Sequence, residues 1–333
     1  MAKITVLGSG GWGLALAITL FTNGHEVKVW SPFKEEVEQL RTKRTNEKLL
    51  KGIYISDKIE ITDDISVSEG SDITVIATPS FAVGETAARL RAVKKPGIIV
   101  NVAKGFEKAS CKRLSEVITR ELPSAKLVVL SGPSHAEEVA RGIPTMLAAS
   151  GCDPEAQKIV QKVFSNEYLR VYVNNDVRGV ELGGALKNII AVAAGFCDGL
   201  ELGDNSKAAL ITRGLSEIAR LGCKLGAKER TFAGLSGLGD LIVTCNSRHS
   251  RNHRFGELLA KGAKPEDALK TVGTVEGYHA AKLAIKLAEK LQVDMPITRQ
   301  CYKVMYENAN ANEVIKELMT RPLKEENEIL WIE

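Results

Sequence analysis

Apolar residues in the first half of the chain come in short, β-branched runs separated by longer stretches of helical pattern. The runs are Ile4–Leu7, Glu26–Trp30, Asp72–Ala77, Gly97–Val102 and Lys126–Leu130, each ending in small or polar residues. Continuous apolar runs of this length mark strands buried on both faces, and the helical stretches between them mark parallel crossovers. Thr145–Ser150 and Leu169–Val173 read as further strands closing the sheet. The pattern predicts a doubly wound α/β domain with its last strand ending near Asp176.

From Val180 onward the periodicity becomes helical. Val180–Cys197 is apolar on nearly every side, the mark of a helix buried inside a domain. Lys207–Leu225, Arg254–Lys261, Pro265–Thr271, Glu276–Leu291 and Pro296–Tyr306 are amphipathic. This predicts two domains, 1–178 doubly wound and 179–333 all-helical, with Lys324–Glu328 as a solvated charged end. No run is read as reaching the roughly 20 apolar residues that span a bilayer. Ala15–Phe21 behind Lys3 could pass for a signal-peptide core. A glycine cluster precedes it and polar Thr22-Asn23-Gly24-His25 comes after, which opposes that reading. The expectation is a cytoplasmic protein, not an integral membrane one.

Composition narrows the partners. A net charge of +4 over 333 residues is too small for a dedicated nucleic-acid binder. The six cysteines are scattered with no C-x-x-C pair, which suits neither a disulfide framework nor a zinc site and fits a reducing compartment. The five histidines show no H-E-x-x-H pattern, so no metal is expected.

The strongest single motif comes directly after the first strand. Gly8-Ser9-Gly10-Gly11-Trp12-Gly13 breaks that strand, and an Ala/Leu helix starts inside it, as in a dinucleotide-binding turn. Gly8 permits the tight turn, Gly10 lets the backbone approach a pyrophosphate, and Gly13 lets helix and strand pack closely. The pyrophosphate would sit on the free N–H groups at the helix start.

Ligands of open α/β sheets lie outside the carboxyl ends of the strands. Lys104, after the run Gly97–Val102, is therefore placed to meet an anion; the plain alternative is a solvated turn lysine. Ser134, after Lys126–Leu130, begins Ser134-x-x-Glu137, a capping box that could start a helix and still present N–H groups to an anion.

Lys187 is a sharper signal because it stands mid-helix among apolar residues. Its own face carries Gly183, Gly184, Ala191 and Ala194, all small. Each glycine costs a helix about 1 kcal/mol relative to alanine, so the pair implies a need for space, as beside a pocket. Burial moves a lysine towards proton-transfer chemistry, whereas the plain alternative is a side chain snorkelling from a helix edge. Gly234–Gly239 reads as a close-packed turn presenting Asp240, a partner for Lys187 or a simple helix cap. Ser247–Arg254 is the densest cationic stretch; without interleaved aromatics it suits a small phosphorylated substrate better than nucleic acid.

With these residues assembled, the chain resembles the bacterial NAD(P)-dependent glycerol-3-phosphate dehydrogenases over nearly its whole length. The resemblance rests on the glycine turn with Trp12, Ala103-Lys104-Gly105, Ser131–Ala136, Ala185–Asn188, Gly237–Leu241, Ser250-Arg251-Asn252 and Val275-Glu276-Gly277. It implies a Rossmann-type sheet followed by a 6-phosphogluconate-dehydrogenase-like helical domain, a homodimer, and a role in supplying glycerophospholipid synthesis. It also implies reversible reduction of dihydroxyacetone phosphate to sn-glycerol 3-phosphate, with Lys187 exchanging the proton of the C2 oxygen. Lys104, Gly132, Ser134, Lys187, Asp240, Ser250, Arg251 and Asn252 would line the substrate site. Gly8, Gly10, Gly11, Trp12, Gly13, Lys104, Ala136, Arg251, Val275 and Glu276 would touch the cofactor.

The chain departs from the family pattern in two places. Ser31-Pro32-Phe33-Lys34 ends the second strand where relatives often carry Arg or His. No acid stands there to bind a ribose 2′-hydroxyl, which leans the expectation towards NADP over NAD, with Lys34 facing the 2′-phosphate. Leu49 replaces a usual aromatic. Two rival functions remain: another hydroxyacid dehydrogenase of the same fold, separated by its substrate, and a non-catalytic dinucleotide sensor, which has no need of a buried Lys187.

Overall fold

The computed structural model describes residues 1–95, 97–323 and 325–326. Of the charged end Lys324–Glu328, only Glu325 and Glu326 fall among them. The chain divides into two units, Met1–Val177 and Arg178–Glu333.

The first unit is built on an eight-stranded sheet. In chain order its elements are β1 (Lys3–Leu7), α1 (Gly11–Thr22), β2 (Glu26–Trp30), α2 (Lys34–Lys43), β3 (Thr45–Asn46), β4 (Leu50–Tyr54), β5 (Glu60–Thr62) and β6 (Ile73–Ile76). Then come α3 (Val83–Leu90), β7 (Ile98–Asn101), α4 (Leu114–Glu121), β8 (Leu127–Ser131), α5 (Ala136–Val139), β9 (Thr145–Gly151), α6 (Pro154–Phe164) and β10 (Leu169–Asn174). The strand order is β10-β9-β8-β7-β6-β1-β2-β5. Every neighbouring pair is parallel except β8–β9. The central strands are buried along their length because helices cover both faces, which is why they read as unbroken apolar runs. The antiparallel turn to β9 is not readable in Thr145–Ser150, since burial and strand propensity are alike in either direction. The β3–β4 hairpin and β5 are too short to leave a periodic signal.

The second unit is all-helical among the described residues: α7 (Val177–Gly199), α8 (Gly203–Lys224), α9 (Glu229–Phe232), a π turn (Leu235–Gly239), α10 (Asp240–Asn246), α11 (Arg251–Ala260), α12 (Pro265–Val272), α13 (Glu276–Leu291), α14 (Pro296–Tyr306) and α15 (Ala311–Met319). Helix α7 corrects the expectation that no run matches a bilayer span. By length and its mean hydropathy of 1.4 it is apolar enough to cross one, yet 83% of that window is buried within the protein. It is the core helix of its unit. Helix α11 starts at Arg251, a turn earlier than the apolar periodicity suggests, so Arg251 and Asn252 lie in a helical first turn.

Candidate active site

The glycine turn has the form its sequence requires. Gly8 has φ +123°, and a Cβ there would lie 2.7 Å from the Ala77 carbonyl oxygen. A Cβ on Gly13 would lie 2.1 Å from the Gly8 carbonyl oxygen, so α1 rests directly on the turn. Gly10 would meet nothing within 4 Å, leaving the start of α1 open on that side. No side chain caps α1 and no acid stands in its first turn, so its leading N–H groups face that opening. Such a cradle fits a pyrophosphate. Beside it, the space over Gly11 is bounded by Leu49 and Ala136, at 3.5 and 3.6 Å from a notional Cβ. Trp12 packs partly against the core of this unit.

The loops after β7 and β8 meet at one carbonyl. Lys104 Nζ donates to the Gly132 oxygen at 2.9 Å, and the Ser134 hydroxyl donates to the same oxygen at 2.9 Å. This corrects the capping-box reading of Ser134: α5 begins after His135 with no side-chain cap, and Ser134 secures the loop instead. The Gly132 carbonyl thereby holds both polar side chains at the carboxyl edge of the sheet.

An acid of α2 reaches the residue that follows β2. The buried Ser31 hydroxyl donates to Glu36 Oε2 at 2.7 Å, and the Phe33 N–H donates to Ser31 Oγ at 3.4 Å. Lys34 is exposed at the first position of α2.

In the second unit Lys187 is 6% exposed and Asp240 is 1% exposed. Lys187 Nζ lies 2.7 Å from Asp240 Oδ1 and also donates to Thr244 Oγ1. Thr244 in turn donates to the Asp240 carbonyl at 2.6 Å. The small residues near Lys187 therefore need another explanation than empty space. A Cβ on Gly183 would lie 2.5 Å from the Ser236 carbonyl oxygen, so the π turn fills the gap. Gly237 lies as close to the Phe232 carbonyl, which leaves the π turn packed between α9 and α7. The missing side chains admit backbone, and the backbone delivers Asp240 to Lys187.

The cationic stretch is only partly available to a ligand. Ser250 is buried and caps α11, its Oγ accepting the His253 N–H at 3.2 Å. Asn252 donates to Asn188 Oδ1 at 3.0 Å and accepts the Gly277 N–H at 2.8 Å, tying α11 to α7 and to the start of α13. Arg251 is exposed. Val275 is fully buried just before α13, so what it offers is backbone, and Glu276 opens that helix.

Several polar residues escaped the sequence reading. Thr244 stands one turn after Asp240 on α10, a spacing that could have revealed it. Asp198 joins Lys207 at 2.6 Å and His253 Nε2 at 2.8 Å. Burial alone would raise the Asp198 carboxyl, but hydrogen bonds from Lys207 and His253 hold it below the usual carboxylate range. Glu217, fully buried on α8, accepts N–H groups of Ile297 and Thr298 at the start of α14. Desolvation pushes its carboxyl up to about 7 against those hydrogen bonds. Burial likewise pushes the Cys245 thiol to about 12, even beside Lys187. Among the described residues no group of three or more His, Cys, Asp or Glu is arranged to hold a metal.

A glycine-turn sheet joined to a helical unit with a buried Lys–Asp pair is the build of a dinucleotide-dependent dehydrogenase. The fold alone is shared with a ketopantoate reductase from Ralstonia eutropha, at a TM-score of 0.60 and 15% identity over 95% of this chain and 99% of that one. Two family models narrow this, the N-terminus and C-terminus of NAD-dependent glycerol-3-phosphate dehydrogenase, matching residues 3–157 and 176–316. A glycerol-3-phosphate dehydrogenase [NAD(P)+] of Geobacillus thermodenitrificans is 51% identical over 98% of this chain and 97% of its own. The crystal structure of glycerol-3-phosphate dehydrogenase from Coxiella burnetii superposes with a TM-score of 0.92 at 36% identity, covering 96% of this chain and 99% of that one. The chain belongs to the NAD(P)-dependent glycerol-3-phosphate dehydrogenase family.

Proposed function

We propose that the chain reversibly reduces dihydroxyacetone phosphate to sn-glycerol 3-phosphate with NAD(P)H. The observation that carries this reading is the buried ion pair of Lys187 with Asp240, 2.7 Å apart, in a chain of this family. A bound nicotinamide supplies hydride to carbon 2 of the substrate. Lys187 gives its proton to the oxygen that gains charge as the hydride arrives, and takes it back in the reverse direction. Asp240 and Thr244 orient the ammonium, and after the proton has left they provide the polar contacts that keep Nζ in place. Lys104 and Arg251 neutralise the anionic substrate, Arg251 as a planar fork suited to phosphate. Gly132 and Ser134 support Lys104 through the shared carbonyl, while Ser250 and Asn252 act by fixing the start of α11. At the cofactor, Gly8, Gly10, Gly11, Trp12 and Gly13 would hold the pyrophosphate, with Ala136, Val275 and Glu276 as further contacts.

A preference for NADP, with Lys34 on the 2′-phosphate, requires that no acid stand at the end of β2. Glu36, in the first turn of α2 and hydrogen-bonded to Ser31, brings an acid near that strand end and weighs against this preference. The scattered cysteines support a cytoplasmic enzyme, and the family supports a homodimer that provides glycerol 3-phosphate for glycerophospholipid assembly. The decisive assay is the initial rate of NADH and of NADPH oxidation with dihydroxyacetone phosphate, beside a short oxo acid. Turnover of the phosphate ester is expected; turnover of the oxo acid alone would hand the assignment to the hydroxyacid dehydrogenases.

A further inference from the structure

In the dinucleotide fold, discrimination at the adenosine ribose falls to side chains at the carboxyl end of the second strand, one strand over from the glycine turn. That place is well defined here. Leu7 pairs with Trp30 in the β1–β2 register, and the Gly8 N–H donates to the Trp30 carbonyl at 2.8 Å, so Ser31 leaves the sheet beside the turn. Ser31 is 1% exposed and its hydroxyl is turned to Glu36. Glu36 lies half-buried within the first turn of α2. One hydrogen bond from Ser31 leaves most of the carboxylate's acceptor capacity unused.

Two arginines at the far end of α2 and just beyond it are engaged elsewhere. Arg41 Nε donates to the Ile61 carbonyl at 2.6 Å. Arg44 donates through Nη1 to the Ile59 carbonyl at 2.7 Å and pairs with Asp57. Both guanidinium groups are engaged with the β5 side of the unit. Lys34 is a single point charge without the two-pronged geometry that grips a phosphate.

Resting on the dinucleotide reading above, we propose that Glu36 sets the cofactor preference, its Ser31-anchored carboxylate accepting a ribose 2′-hydroxyl and repelling a 2′-phosphate, so that the chain favours NAD(H) over NADP(H). A 2′-phosphate brings between one and two negative charges, and a negative group met at a half-buried carboxylate discriminates by repulsion.

Calorimetric titration of the full chain with NADH and with NADPH tests this without reference to turnover. The unaltered chain is expected to bind NADH about tenfold or more tightly than NADPH, from one unfavourable charge contact. Glu36→Gln keeps the shape, removes the charge, and is expected to narrow that ratio about fivefold or more, chiefly by tightening NADPH. Glu35→Gln makes the same charge change one residue away on an exposed side chain, and is expected to leave the ratio within about twofold. The proposal is overturned by equal binding of the two cofactors to the unaltered chain, by an unmoved ratio in Glu36→Gln, or by an equal shift in Glu35→Gln. Binding of neither dinucleotide overturns the dinucleotide reading itself and this inference with it.

Discussion

Gly183 on α7 meets the carbonyl of Ser236 with no room between them for a methyl group. Because Ser236 sits in the π turn that leads into Asp240, this contact sets how deeply the carboxylate approaches Lys187. A π turn at a functional residue is a frequent device, since the extra residue re-aims the side chains beyond it. Gly183→Ala is expected to cost about 1–3 kcal/mol of stability, as overpacking does in a tight interior. It should also lower turnover by loosening the ion pair. Thermal unfolding measures the first effect and steady-state rates the second; a variant with unchanged midpoint and rate would refute the contact's importance.

Lys187→Ala removes the proposed proton donor, on α7. Turnover of dihydroxyacetone phosphate is expected to fall about 10²–10⁴-fold, the usual worth of a positioned acid–base group. NADH affinity, read by calorimetry, should stay near that of the unaltered chain. Unaltered turnover would overturn the role proposed for Lys187, and binding of NADH with no turnover by the unaltered chain would favour the sensor reading.

Glu217 links stability to pH. Its carboxyl is raised from 4.5 to about 7 in the folded chain, so folding favours the protonated form. The stabilising contribution is therefore complete below about 4.5 and is lost as pH rises towards about 7, above which the buried charge is fully present. Glu217→Gln has no proton to lose there and keeps acceptor capacity for the N–H groups of Ile297 and Thr298. Denaturant midpoints measured between these pH values should fall with rising pH in the unaltered chain and show a smaller slope in the variant. Equal slopes would remove Glu217 from the account.

Thiol chemistry should track burial. Cys152 and Cys223 are exposed, whereas Cys245 and Cys301 are buried and pushed upward by desolvation. Iodoacetamide at mildly alkaline pH is expected to label the exposed pair quickly and the buried pair only after denaturation. Mass spectrometry of the native digest would show otherwise if α10 or α14 opens readily.

The strands and the glycine turn were legible because both depend on local facts, namely buried parallel strands with no polar face and a backbone that admits no Cβ at Gly8 or Gly13. Lys187 was legible as a charge out of place on an apolar helix. The reason for its small neighbours was not, because Gly183 looks the same whether it borders empty space or another backbone. The contact of Glu36 with Ser31 was hidden for a related reason. It stands five residues after Ser31, and only the turn between β2 and α2 brings the two side chains together. The ties of Asn252 to Asn188 and Gly277 were not legible either, because they join helices far apart in the chain.

The composition of α7 also bears on how the chain emerges during synthesis. A helix of 23 residues with membrane-like hydropathy leaves the ribosome well before the residues that cover it. Gly277 of α13 packs on the Asn188 carbonyl, and Cys301 of α14 reaches the Ile189 carbonyl. Until those later helices are made, the stretch from Val177 to Gly199 is sticky cargo for chaperones and for neighbouring nascent chains. A stop codon placed before α13 should therefore yield aggregates and no soluble fragment, however well the first unit folds.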